Sequence, residues 1–174
     1  MEFLLRPAVP ADLPGILQVM DRAQRALSCP DWFVPDTAEY FAAHLDGAEG
    51  FCHVAETPDG ALAAYFTVKL AGEADDALGR RLGMQGADLR ACAQMDSCCV
   101  APLYRGHSLE GRLMQLAERR LRAWPGRPWL HCLGTVHPDN APSLYSFLHR
   151  GYRIAAADVL CYGGKRRHIL QKDL

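Results

Sequence analysis

Cys98-Cys99-Val100-Ala101-Pro102-Leu103-Tyr104-Arg105-Gly106-His107-Ser108-Leu109-Glu110-Gly111 runs from an apolar strand, through a short basic turn, into the start of a long amphipathic helix. A strand feeding a glycine-containing turn that opens a helix can cradle a phosphate. The backbone N–H groups of such a turn converge, and the helix N-terminus adds partial positive charge there. Leu109, Leu113, Leu116, Ala117 and Leu121 fall on one helical face. Glu110 sits in the first turn and Arg119, Arg120 and Arg122 in the last, as the macrodipole prefers, and Trp124-Pro125-Gly126 stops the helix. Two glycines alone carry little information, so the turn by itself is read equally well as a plain turn.

Working outward, the chain has 174 residues, 49% of them hydrophobic, enough for one substantial core, so a single domain over residues 1–174 is expected. The net charge of −1 leaves no basic footprint, and no nucleic-acid partner is expected. Seven cysteines, with Cys98 and Cys99 adjacent and no C-x-x-C pair, suit reduced thiols and a cytoplasmic setting rather than a disulfide frame. No basic-then-apolar leader and no membrane-length apolar run is present, so no membrane partner is expected either. His53 reads as a packing residue. His131, His137, His149 and His168 are scattered, and no metal site is expected.

Upstream of the turn, Phe3-Leu4-Leu5 reads as a first strand, and Asp12 as the cap of a helix through about Leu27. Trp32 and Phe33 lie in a loop from Ser28 to Pro35; they either plug the core, the simpler expectation, or line a ligand pocket. Thr37 caps a second helix through His44, and Gly50–Thr57 and Ala61–Leu70 flank Pro58-Asp59-Gly60 as a β-hairpin. Ala71 to Arg90 reads as one or two short helical turns, either an insertion without a role, the simpler expectation, or a cover over a substrate site. Ala91 to Val100 is a strand carrying one charge, Asp96, and buried carboxylates are costly unless paired or used. Four residues separate Asp96 from Val100, which on a regular strand puts both side chains on one face. Downstream come a strand from Trp129 to Val136, a helix capped by Asp139 or Asn140, and two strands joined at Gly163-Gly164. Strands first, then helix–strand–helix–strand, argue an α/β (α+β) fold with a mixed, mostly antiparallel sheet flanked by helices.

Two segments now carry a resemblance. Val100 to Glu110 resembles the V-x-P-x-Y-R-G-x-G-I-G turn of the GNAT superfamily of acetyl-CoA-dependent N-acetyltransferases. Asn140, Ser143, Leu144, Phe147, Gly151 and Tyr152 resemble its N-x-x-A-I-x-L-Y-x-x-x-G-F segment, in the right order. The resemblance implies acetyl-CoA as co-substrate. Arg105, Gly106, His107, Ser108, Leu109, Glu110 and Gly111 would meet its pyrophosphate, and the end of the strand at Cys98, Cys99 and Val100 would pair with its pantetheine amides. Asn140 and Ser143 would meet the cofactor arm. It further implies an amine acceptor, small molecule or peptide, attacking the thioester directly, with Asp96 as the candidate for handling the amine's proton. A homodimer is common in the family, but no stretch here fixes an interface.

The departures are informative. Ser108 and Glu110 stand where the family prefers small residues, and Glu110, beside a pyrophosphate, is expected to point to solvent. Phe147 replaces the family's frequent acidic Tyr; Tyr145 is roughly 200° around the helix from it and does not inherit the role. Tyr162 is a further candidate without a motif behind it. Phe147 therefore leaves a second reading open, a non-catalytic acyl-CoA-binding or sensing domain.

Overall fold

The computed structural model describes residues 1–126 and 129–174. Strands β1 (Leu4–Pro7), β2 (Gly50–Glu56), β3 (Leu62–Lys69), β4 (Cys92–Val100), β5 (His131–Val136), β6 (Arg153–Cys161) and β7 (Lys165–Asp173) form one sheet. Its order is β1-β2-β3-β4-β5-β7-β6. Among the described residues, β4 and β5 are the one parallel pair. Parallel neighbours need a crossover connection, and helix α5 (Leu109–Arg122) supplies it.

Two cores cover the two faces of the sheet. On one face Leu109, Leu113, Met114, Ala117 and Leu121 of α5 pack on Phe66, Val68 and Met95. Helix α6 (Ala141–His149) joins this layer through Phe147. Gly134 of β5 makes that packing possible, because a Cβ there would lie 2.5 Å from the Phe147 ring. On the other face Ile16, Val19, Met20 and Ala23 of α1 (Leu13–Arg25), with Phe41 of α2 (Ala38–Ala43), cover Cys52, Val54, Tyr65 and Cys99. The 71–90 segment folds into α3 (Leu78–Arg81) and α4 (Gly86–Arg90), where Leu78 packs on Cys92 and Leu133. The N–H of Leu78 donates to Gln94 Oε1 at 2.7 Å, and Arg81 donates to the Leu160 carbonyl at 3.0 Å.

The caps follow the local chemistry with one change. Thr37 accepts from the Tyr40 N–H and starts α2, and Asn140 accepts from the Ser143 N–H and starts α6. Asp12 does not cap α1. Its carboxylate takes the Arg6 guanidinium at 2.7 Å and the Val9 N–H at 2.8 Å, and the hydrogen bond from Arg6 lowers its pKa.

Glu118 on α5 is an unexpected buried charge. Its carboxylate accepts from Lys172 of β7 at 2.8 Å and from Arg150, just past α6, at 3.1 Å. A buried carboxylate is tolerable only with such partners, and here it ties α5 to the end of α6 and to β7.

His53 is 2% exposed, and its Nδ1 has no partner among the described residues. Burial, aided by the nearby Arg120 charge, lowers the imidazole from 6.5 to about 4. On acidification the unfolded chain therefore binds this proton first. Stability from neutral His53 is complete above pH 6.5 and is lost as the pH falls toward 4. Between pH 6.5 and pH 5 the wild type is expected to lose about 1.5 kcal/mol more than His53→Phe, read by urea denaturation at the two pH values. Parallel losses in the two proteins would contradict a neutral buried His53.

Candidate active site

β4 and β5 are paired only from Cys92–Met95 to His131–Gly134. Past that point the two strands have no further pairing and a cleft of about 700 Å³ opens between them. One wall is the end of β4 and the turn that follows; the other is Thr135 and Val136 of β5 with the first turns of α6. Beyond Met95, the side of β4 that faced β5 has no strand neighbour among the described residues. Its backbone groups there are available to an extended ligand.

The turn is built on two left-handed residues, Gly106 at φ 84° and Ser108 at φ 54°. Glycine adopts that conformation freely, whereas for serine it is strained by roughly 1 kcal/mol or more. Ser108 is the N-cap of α5, yet its side chain makes no capping hydrogen bond. The first N–H groups of a helix lack intrahelical partners, so this end of α5 is left ready for an anion. Arg105 stands exposed on the same rim.

Most of the residues expected from the sequence meet here. Asp96, Cys98, Cys99 and Val100, then Arg105, Gly106, Ser108, Leu109 and Glu110, and finally Asn140 and Ser143 all border the cleft. His107 and Gly111 do not: His107 is exposed with its ring edge against Phe3, and Gly111 lies within the first turn of α5. Burial pushes the Cys99 thiol up to about 12, and the Cys98 thiol is raised for the same reason. Neither is a reactive thiolate. Phe147 is 4% exposed and packs edge-on against Tyr152. Tyr145 is exposed, stacks on His149 and does not border the cleft.

Two expectations are corrected. Glu110 does not point to solvent. It is half-buried on the cleft wall, where its Oε1 accepts from the Ser143 hydroxyl at 2.7 Å, and burial raises its pKa. Asp96 does not share a face with Val100. Phe66 pairs with Cys98 and Val68 with Met95, so Thr67 alone opposes both Asp96 and Ser97. This β-bulge shifts the alternation by one residue. Val100 and Cys98 face the α5 layer, while Asp96 turns to α2 and accepts the Tyr40 hydroxyl.

Behind Asp96 lies a second cavity of about 270 Å³. It shares Trp32, Phe33, Asp96 and Thr135 with the cleft, so the two spaces meet at the bulge. Trp32 and Phe33 are half-buried linings of both, although Phe33 also packs on the α1 core. Asp76 borders the second cavity and is ion-paired with Lys69, which makes the 71–90 segment part of its wall rather than an idle insertion. Burial raises the Asp96 carboxyl above its ordinary value, against the Tyr40 hydrogen bond and the charges of Lys69 and His44. It raises Asp36 in the same cavity. Tyr162, at φ 47°, hydrogen-bonds Thr135 Oγ1 at 3.0 Å, and burial pushes its hydroxyl up to about 12.

Asp36, Tyr40, Thr135 and Arg167 were not singled out by motif. The only local signal was the alternation Arg167-x-Ile169-x-Gln171, three buried positions on β7, which placed Arg167 on an inward face. Among the described residues, no group of three or more His, Cys, Asp or Glu is arranged to hold a metal ion, and no helix is long and apolar enough to cross a membrane.

Comparison with known proteins places this geometry. No curated protein sequence matches the chain. Among solved structures, a GNAT-family acetyltransferase from Streptococcus pneumoniae superposes with a TM-score of 0.72 at 15% identity, covering 99% of this chain and 100% of that one. The ribosomal-protein-S18-alanine N-acetyltransferase from Escherichia coli gives 0.67 at 16%, covering 99% and 94%. A phosphinothricin acetyltransferase from Sinorhizobium meliloti, solved with AcCoA, gives 0.71 at 17%, covering 100% and 89%. These likenesses establish the fold. The model of the Acetyltransferase (GNAT) family matches residues 18–152, most of the chain, and the chain belongs to that family.

Proposed function

We propose that this chain transfers an acetyl group from acetyl-CoA to a primary amine of a small molecule or peptide, by direct attack of the amine on the thioester. The observation that carries this reading is the position of Asp96, on a bulge between the open β4–β5 cleft and a separate small cavity. The cleft side suits acetyl-CoA: the left-handed turn at Gly106 and Ser108 presents backbone N–H groups to a pyrophosphate, with Arg105 beside them. The open side of β4 at Cys98 to Val100 suits the pantetheine amides, and Asn140 and Ser143 border the same arm. Glu110 opposes an anion, but its raised pKa and its bond to Ser143 soften that opposition. Acetyl-CoA supplies an acyl group already activated as a thioester.

From the second cavity, an ammonium meets the Asp96 carboxylate and yields its proton there. The neutral amine nitrogen then forms the new N–C bond while the C–S bond breaks, and the nitrogen's second proton passes to the leaving thiolate, which departs as the free thiol. A base with a raised pKa is better matched to this proton transfer than an ordinary aspartate. Holding the two reactants across one bulge supplies the proximity term. Tyr162, hydrogen-bonded to Thr135 where the two spaces meet, is a side-chain hydroxyl candidate to meet the leaving sulfur.

Phe147 favours one alternative. It is buried and has no proton to give, so a domain that only binds acyl-CoA is the second reading. Thiol release with acetyl-CoA and a panel of primary amines separates the two. Amine-dependent, saturable release is expected. Binding of acetyl-CoA with no release from any amine would favour the binding domain.

A further inference from the structure

The second cavity holds a cation that the proposed transfer does not use. Arg167 on β7 is 3% exposed and borders this cavity. Its guanidinium donates to the Arg166 backbone carbonyl at 2.7 Å and lies 5.8 Å from the centre of the Tyr162 ring. No carboxylate of the described residues lies within 4.0 Å of it. Asp31, the acid whose charge reaches it, is ion-paired with Lys165. None of the cavity's carboxylates is ion-paired with it: Asp76 pairs with Lys69, and Asp96 accepts the Tyr40 hydroxyl. Asp36 keeps to the Ser97 side.

A guanidinium stays charged in proteins. Burying one without a counter-anion is unfavourable, and such a group facing a ligand cavity is ready-made for a planar oxyanion. The cavity is therefore bipolar. Asp96 and Asp36 attract an ammonium at one part of it, and Arg167 stands ready for an anion at another. At about 270 Å³ it suits a molecule of amino-acid size.

We infer that the acceptor is a small amino acid-like zwitterion, whose carboxylate is held by Arg167 while its amine reaches Asp96. This rests on the acetyltransferase reading above and narrows its substrate class. A peptide N-terminus, which carries no carboxylate near its amine, is excluded by the same argument. Arg167 is then a substrate-binding residue that sets specificity.

The test compares matched acceptors in the thiol-release assay: free amino acids, their carboxamides, the corresponding decarboxylated amines, and short peptides. The wild type should favour the free amino acids by about 10- to 100-fold in kcat/KM, the range expected for a charge-assisted hydrogen-bonded pair. Arg167→Met should abolish that preference, mainly through KM, with acetyl-CoA affinity by calorimetry unchanged, since Arg167 does not border the cleft. Arg167→Lys, which keeps a cation without the planar fork, should retain part of it. If Arg167→Met does not fold, the acceptor series on the wild type and Arg167→Lys still decides the matter. Equal or better use of carboxamides, decarboxylated amines or peptides by the wild type would overturn the inference and leave the acetyltransferase standing. So would a preference that survives Arg167→Met. Acetyl-CoA binding with no release from any acceptor would overturn the acetyltransferase reading and this inference with it.

Discussion

Gly106→Pro is expected to weaken acetyl-CoA binding by at least about 100-fold. Gly106 sits at φ 84°, and proline is locked near −65°, so the turn cannot keep its path. The substitution also removes an N–H that would meet the pyrophosphate. Loss of one hydrogen bond to a charged group, with a turn forced out of shape, amounts to about 3 kcal/mol, which is roughly the stated factor. The fold should survive, because Gly106 is exposed and nothing lies within 4 Å of where its Cβ would be. A titration followed by tryptophan fluorescence, with Trp32 on the cleft wall as reporter, gives the affinity. Unchanged affinity in a variant that melts like the wild type would remove the turn from the binding site.

Asp96→Asn is expected to lower kcat by at least about 100-fold, the usual range for loss of a positioned base. Acetyl-CoA affinity should stay nearly constant, since Asp96 faces the second cavity as well as the cleft and does not belong to the turn. The pH profile carries a second signature. Burial raises the Asp96 pKa, and the group accepts a proton only when ionised, so wild-type activity should rise with pH through that raised value. In the asparagine variant this limb should vanish. Equal turnover, or an unchanged pH profile, would retire Asp96 as the group that takes the amine's proton.

Much of the architecture was legible in the sequence because local chemistry and tertiary packing agree there. The Pro58-Asp59-Gly60 turn joins β2 to β3, the Leu109–Leu121 stripe packs on the sheet, and Thr37 and Asn140 cap the helices they precede. Where reading failed, the cause was non-local. The face of Asp96 depends on a bulge opposite Thr67, 29 residues away in a partner strand that alternation along β4 cannot see. Glu110 turns inward because Ser143, on a different helix, offers a hydroxyl. Tyr40 reaches Asp96 across 56 positions of chain.

The second cavity was the least legible part. It takes Trp32 and Phe33 from one loop, Lys69 and Asp76 from the end of β3 and the segment after it, and Tyr162 and Arg167 from the last hairpin. That β7 inserts between β5 and β6, rather than following β6 at the edge, is what brings Arg167 inward. The cofactor side is main-chain geometry written in one contiguous stretch, and the acceptor side is a convergence of side chains from across the sequence.

The central claim is that the β4–β5 cleft and the turn at Gly106 bind acetyl-CoA, despite the left-handed Ser108 and the inward Glu110. Calorimetric titration of the wild-type protein with acetyl-CoA tests it most directly. Saturable binding at one site per chain is the expected result, and the absence of any binding heat across the accessible concentration range at more than one temperature would contradict it.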